Sequence, residues 1–287
     1  MNKTSLPMVR DSWSFLFLER CKIVKSDSYI ESYDESGVVS IPVAELTTLM
    51  LGPGVSITHD AVKHISKCGC SIVWCGEDMA KFYSYGVAET NKSTNLLKQV
   101  NCYSNYEKHM AVVRRMYGIR LDKVVDVCYN LKQLRGSEGA RVRQIYADLA
   151  KEYGVEWGGR VYDRSDWGGN NVINNAITKV NAYLYSVCQS VVVSVGYSPA
   201  IGFIHSGTQM SFIYDVSDLY KHYVSLPIAF EYAGGNKVCE MDSYLRSGLR
   251  NKIHEFDLLN RIIEDIDNLF KGLVDVKDVG SGYWEGE

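Results

Sequence analysis

Asn130-Leu131-Lys132-Gln133-Leu134-Arg135-Gly136-Ser137-Glu138-Gly139-Ala140-Arg141-Val142-Arg143 is the stretch on which the fold turns. Asn130 can cap a helix, and Gln133 three places on completes a capping box. Within that helix Leu134, Glu138, Val142, Ile145 and Leu149 recur at spacings of four and three, so they share one face. Glu138 is therefore a carboxylate inside an apolar stripe, and a buried carboxylate needs a cation, a metal or a cage of donors. Gly136 and Gly139 each weaken the helix by about 1 kcal/mol against alanine, which suggests close approach by another group. Arg135, Arg141 and Arg143 lie on neighbouring faces. A metal and phosphate site satisfies this pattern, and so does a buried Glu–Arg pair joining two helices.

Working toward the N-terminus, residues 12–90 read as β-rich. Strands are expected at Ser12–Leu18, Tyr29–Tyr33, Val38–Pro42, Glu45–Leu51, Ser71–Cys75 and Lys81–Tyr85, with a turn at Asp34-Glu35-Ser36-Gly37. Thr58 should cap a short helix over Asp60–Lys67 that ends at Gly69. No acid or base cluster converges here, so a structural, pairing role is expected. His64, Cys68, Cys70 and Cys75 invite a zinc reading, but the C-x-C spacing departs from that of zinc sites. Cys70 and Cys75 instead bracket an apolar strand, where cysteine is commonly buried.

From Ser93 onward the periodicity is helical. Helices are expected over Thr94–Tyr117, from Asp122 towards Tyr129, through the Glu138 stretch to Tyr153, and from Asn171 to Gly196. Another begins at Ser211 and carries Asp215, Asp218 and Lys221, and the last spans Asp242–Phe270. The aromatic, glycine-rich connector 155–171 reads as packing rather than as a stacking platform for bases. The fold class expected is α+β: a β-rich domain over 1–90, a larger all-helical catalytic domain over 91–271, and an acidic flexible tail over 272–287.

Composition bounds the function. The chain of 287 residues is 46% apolar and 23% charged, with a net charge of −3, as in ordinary globular proteins. No run approaches the ~20 apolar residues of a membrane span and no export signal opens the chain, so cytoplasm and reduced thiols are expected for the eight cysteines. Charge is uneven, however. Residues 93–160 carry twelve Lys and Arg against seven Asp and Glu, whereas 240–287 carry six against eleven. A polyanion would favour the first stretch and avoid the second.

His205 follows the apolar run Ile201-Gly202-Phe203-Ile204, at a turn marked by Gly207. A lone histidine there reads as a core residue or as a ligand. Asp215 and Asp218, three apart, can face one cation, although Asp215 also suits a helix N-cap. Carboxylates with one imidazole and no thiolate suit Mg²⁺ or Mn²⁺. Such an ion neutralises a phosphodiester oxygen and activates a hydroxyl, so phosphoryl transfer on a polynucleotide is the reaction class. No nucleotide-binding glycine loop appears.

Three ordered motifs closely resemble the CRISPR-associated integrase family (CRISPR-associated protein one), nearest to its subtype I-E branch. They are Gln133–Gly139 with Arg141-Val142-Arg143, Ala200–Gly207, and Phe212–Asp218. Ile41-Pro42-Val43, Leu51-Gly52-Pro53-Gly54 and Val73-Trp74 are similar too, and the likeness runs over roughly residues 10–270. The resemblance implies a β-domain that dimerises and a helical catalytic domain whose metal ligands map onto Glu138, His205 and Asp218, with Asp215 a further acid. It implies Mg²⁺ or Mn²⁺ as cofactor. Its partners would be CRISPR-associated protein two and double-stranded DNA, both spacer precursor and repeat array. Attack by a 3′-hydroxyl on the repeat backbone would insert the spacer. Arg135, Arg141, Arg143 and Lys221 are the residues expected to meet DNA. Two rivals stand beside this reading: a stand-alone metal-dependent nuclease or junction resolvase, and a non-catalytic DNA-binding scaffold in which Glu138 only pairs an arginine.

Overall fold

The computed structural model describes residues 15–86, 93–122, 125, 129–159, 172–235 and 240–274. The chain divides into two compact units, residues 1–91 and 92–287. Each is described by itself.

Among the described residues the first unit holds two four-stranded sheets and one α-helix. In one sheet β1 (Phe15–Leu18), β5 (Thr48–Leu51) and β7 (Ser71–Cys75) run parallel in that order, and β8 (Phe82–Gly86) closes it antiparallel to β7. In the other the order is β4 (Gly37–Ile41), β3 (Ile30–Asp34), β2 (Lys22–Lys25) and β6 (Ser56–Ile57). The β3–β4 hairpin forms because Asp34 Oδ1 accepts the Ser36 backbone N–H at 2.7 Å, while Gly37 supplies a φ of +137°. Strands β2 and β6 are too short to show a period and were not expected. Glu45 belongs to a short 3₁₀ turn over Val43–Glu45, so the strand expected from there begins only at Thr48. Helix α1 (His59–Lys67) starts where Thr58 accepts the Ala61 N–H. Its buried Ala61 and Ile65 join Ile23, Ile30, Leu49, Leu51 and Ile72 in one core.

The second unit is helical. One helix was expected over Thr94–Tyr117, but there are two: α2 (Thr94–Ser104) and α3 (Tyr106–Leu121). Asn105 takes extended backbone and caps α3 through the Lys108 N–H, so the local side chain competes with continuation of the helix. The helix proposed from Asp122 towards Tyr129 lies almost wholly outside the described residues. Helix α4 (Leu131–Glu152) carries the capping box formed by Asn130 and Gln133. Helix α5 (Val172–Ser194) is buried nearly all round, from Ile173 to Ser194. Its apolar stripe is therefore part of a central helix against which α6 (Ser211–Ser217), α7 (Ser225–Ala233), α8 (Met241–Glu255) and α9 (Leu258–Phe270) pack. Helix α7 was not foreseen, and the expected Asp242–Phe270 helix is broken by Asp257 at a φ of +45°. No helix among the described residues is long and apolar enough to cross a membrane.

A carboxylate pair beside a braced histidine

Glu138 projects from α4 toward the C-terminal end of α3. Its carboxylate is paired with Arg120 Nη2. The same nitrogen donates to Asp218 Oδ2 at 3.0 Å, from the turn that follows α6. All three side chains are largely buried, at 17%, 11% and 12% exposure, so the ions depend on one another rather than on water. Lys221 Nζ reaches Asp218 Oδ1 at 2.5 Å and lies 4.9 Å from the Tyr185 ring centre. Burial alone would raise the Asp218 carboxyl, but Lys221 and then Arg120 outweigh it and hold the group below the usual range. Burial opposes the Lys221 charge too, and Asp218 raises its pKa above the ordinary lysine value. These groups line a cavity of about 200 Å³, walled on its apolar side by Val142, Ile145, Tyr146 and Leu226.

The α4 stripe thus differs from the expected core face. Leu134 and Leu149 are buried, whereas Val142 is 38% exposed and, with Ile145, forms the cavity wall. The glycines also differ from expectation. A Cβ on Gly136 would meet nothing within 4 Å, and one on Gly139 only Arg143 Nη1 at 3.6 Å. No group of the described residues presses on that side of the helix.

His205 is neither core nor free. Its side chain is 42% exposed, and Nδ1 meets Asp215 Oδ1 at 2.7 Å. Asp215 is fully buried within α6, so it is no N-cap, and its carboxylate meets the 203–205 segment, whereas that of Asp218 meets Arg120 and Lys221. Asp215 accepts the backbone N–H groups of Phe203, Ile204 and His205 at 2.5, 3.0 and 2.9 Å. One carboxylate therefore fixes both the loop and the imidazole. Because Nδ1–H is spent on Asp215, the Nε2 lone pair is left for a ligand, the usual arrangement of a metal-binding histidine. Gly202 makes the loop possible, since a Cβ there would stand 2.8 Å from the Ser211 carbonyl carbon.

Of the arginines expected to meet DNA, Arg143 is exposed and Arg135 is exposed while donating to the Ile204 carbonyl at 3.3 Å. Arg141 instead caps α3 through the Leu121 carbonyl at 3.0 Å, and Lys221 is committed to Asp218. The connector residue Trp157 stacks on Tyr146 at 4.7 Å and packs on Phe230; residues 160–171 lie outside the described residues.

Among the described residues no three His, Cys, Asp or Glu side chains stand close enough to hold a metal ion as placed. The donor set nevertheless fits a hard divalent cation. Two carboxylates converge on one positive charge, the Arg120 guanidinium, as they would on such an ion. The His64–Cys68–Cys70–Cys75 cluster does not fit one: Cys70, just before β7, and Cys75, at its end, are buried, and their thiols donate to carbonyl oxygens.

The model of the family described as "CRISPR associated protein Cas1" matches residues 15–128 and 119–242. The chain belongs to the Cas1 family. It is 39% identical to the CRISPR-associated endonuclease Cas1 2 of Thermus thermophilus over 95% of this chain and 83% of that protein. The Chlorobaculum tepidum protein of the same name is 38% identical, over 94% of this chain and 91% of its own length. A crystal structure of a TtCas1–DNA complex superposes with a TM-score of 0.85 at 39% identity, covering 93% of this chain and all of that one. Within the Cas1 fold, Glu138 and Asp218 are joined through Arg120, a residue with no periodicity or motif to mark it. The only cue to Arg120 was its place in the last turn of α3, where a buried carboxylate of the next helix needed a cation.

Proposed function

We propose that this Cas1 protein is a metal-dependent DNA integrase of CRISPR adaptation. It joins spacer precursor DNA to the repeat array by transesterification, with associated endonuclease activity. The single observation that carries the reading is the convergence of Glu138 and Asp218 on one cation position; His205, whose Nδ1 is held by Asp215, is the imidazole we assign to it. Glu138, Asp218 and His205 Nε2 would hold Mg²⁺ or Mn²⁺. When bound, such an ion neutralises charge on a phosphodiester oxygen and lowers the pKa of the attacking hydroxyl. The chain's own part is to orient His205 through Asp215, to keep Asp218 ionised through Lys221, and to offer Arg135 and Arg143 to phosphates. Double-stranded DNA is the substrate class; the similar TtCas1 was crystallised as a DNA complex. CRISPR-associated protein two, homodimerisation through the β-rich unit, a cytoplasmic setting and the subtype I-E branch complete the reading.

A labelled duplex with a free 3′-hydroxyl, incubated with a repeat-bearing duplex and Mn²⁺, tests it. Integration yields a branched strand longer than either input, and Glu138→Gln abolishes it. Shorter products alone would leave a nuclease, which is what the relatives' names describe. Binding without either product would leave a scaffold in which Glu138 serves only to pair Arg120.

A further inference from the structure

A second cavity, of about 360 Å³, adjoins the first, and Arg141 and His222 line both. It is assembled from distant parts of the second unit: Arg141 from α4, His222 and Tyr223 from the turn after α6, Phe256 from the end of α8 and Arg261 from α9. Arg261 comes from the acidic end of the chain, which the charge distribution alone would assign to a surface that repels polyanions. Folding instead brings it to the basic side of α4.

The groups around this cavity are short of an anion. Arg141 Nε is buried with no partner among the described residues, its Nη1 being spent on the Leu121 carbonyl. Arg261 lies over the Tyr223 ring at 5.3 Å, and its one ion pair among the described residues is a long contact to Asp265, at 3.9 Å. Among the described residues Asp122 is the one carboxylate lining the cavity, and its charge partly offsets the arginines at His222. The His222 pKa is lowered, first by burial and next by the charges of Arg141 and Arg261, so the field at the imidazole is positive. A guanidinium fork with a free N–H beside a second arginine suits a phosphate oxygen, and the aromatic walls suit the sugar and base attached to it.

We propose that Arg141, His222 and Arg261 form a phosphate subsite for a phosphodiester of the DNA strand that leads into the carboxylate pair. This rests on the DNA reading above and adds to it a contact, Arg261, that binds from outside the basic segment.

Fluorescence anisotropy of a duplex with a free 3′ end, measured across a salt series, tests the subsite. Arg261→Gln should weaken binding about fivefold or more and reduce the slope of log affinity against log salt by about 0.9, the loss of one phosphate contact. Lys271→Gln, in the same acidic region, should change neither. Neutral methylphosphonate linkages near the 3′ end should erase the difference between wild type and Arg261→Gln. An unchanged slope in Arg261→Gln, an equal loss in Lys271→Gln, or a difference that survives the neutral linkages would overturn the subsite while leaving the DNA reading intact. No salt-dependent binding by the wild type would overturn both. If inorganic phosphate raises the melting temperature of wild type but not of Arg261→Gln, with DNA affinity equal in the two, the ligand is a free phosphate and the backbone assignment fails.

Discussion

Glu138 and Asp218 meet at a single atom, Nη2 of Arg120, although one sits mid-helix on α4 and the other in the turn after α6. Two carboxylates that close would repel were the guanidinium removed. Arg120→Gln should therefore cost about 3–5 kcal/mol, the range for stripping one partner from a buried ion pair. Mn²⁺ should restore more of the melting temperature in Arg120→Gln than it adds to wild type, because it supplies the charge the variant lacks. Calorimetry with and without Mn²⁺ measures both; equal responses in the two proteins would show that the acids do not share a cation site.

Asp215 and His205 separate bracing from ligation. Asp215 accepts three backbone N–H groups as well as the imidazole, so Asp215→Ala leaves several buried donors unpaired and should cost at least about 2 kcal/mol. His205 is 42% exposed, and His205→Ala should leave the melting temperature nearly unchanged while strand transfer disappears. Melting and strand transfer on the same two preparations check this. Retained transfer in His205→Ala would reduce the imidazole to a passenger of Asp215.

Much of this architecture was legible because local chemistry agreed with the final packing. The capping box at Asn130 and Gln133, the cap at Thr58 and the turn at Asp34–Gly37 all formed where their side chains demanded. The illegible parts depend on partners distant in sequence. Periodicity could not show that Val142 faces a cavity, because a cavity wall and a core wall are both apolar. Asp215 looked like an N-cap by its neighbours in sequence, yet its partners lie ten to twelve residues upstream in the 203–205 loop. Arg120, marked only by its place in the last turn of α3, has its partners likewise far away in sequence. Only the fold sets it between two acids.

The six cysteines among the described residues are free thiols, and their accessibility predicts their chemistry. Burial pushes Cys70, Cys75 and Cys188 up to about 12, so almost no thiolate forms at neutral pH. Iodoacetamide at pH 8 should leave these three untouched in the folded protein while labelling half-buried Cys68 slowly. Peptide mass spectrometry before and after denaturation reads the pattern. Rapid labelling of Cys188 would contradict its place inside α5.

Asp265 gives a pH-dependent prediction remote from the carboxylate pair. Tyr220 donates to its Oδ2 at 2.9 Å, yet burial outweighs that bond and the nearby Arg261 charge, and the carboxyl is raised above 3.8. The folded state therefore holds this proton more tightly than the unfolded chain does. Its contribution is most favourable below 3.8 and is lost as the pH rises through the folded value, so at neutral pH the ionised group carries its full cost. Asp265→Asn keeps an oxygen to accept from Tyr220 and removes the charge. At pH 7.5 its melting temperature should exceed that of wild type, and the advantage should shrink steadily as the pH is lowered toward 4. Paired melting curves across that range check the sign: an advantage that grows toward acid would mean that Arg261, not burial, governs Asp265.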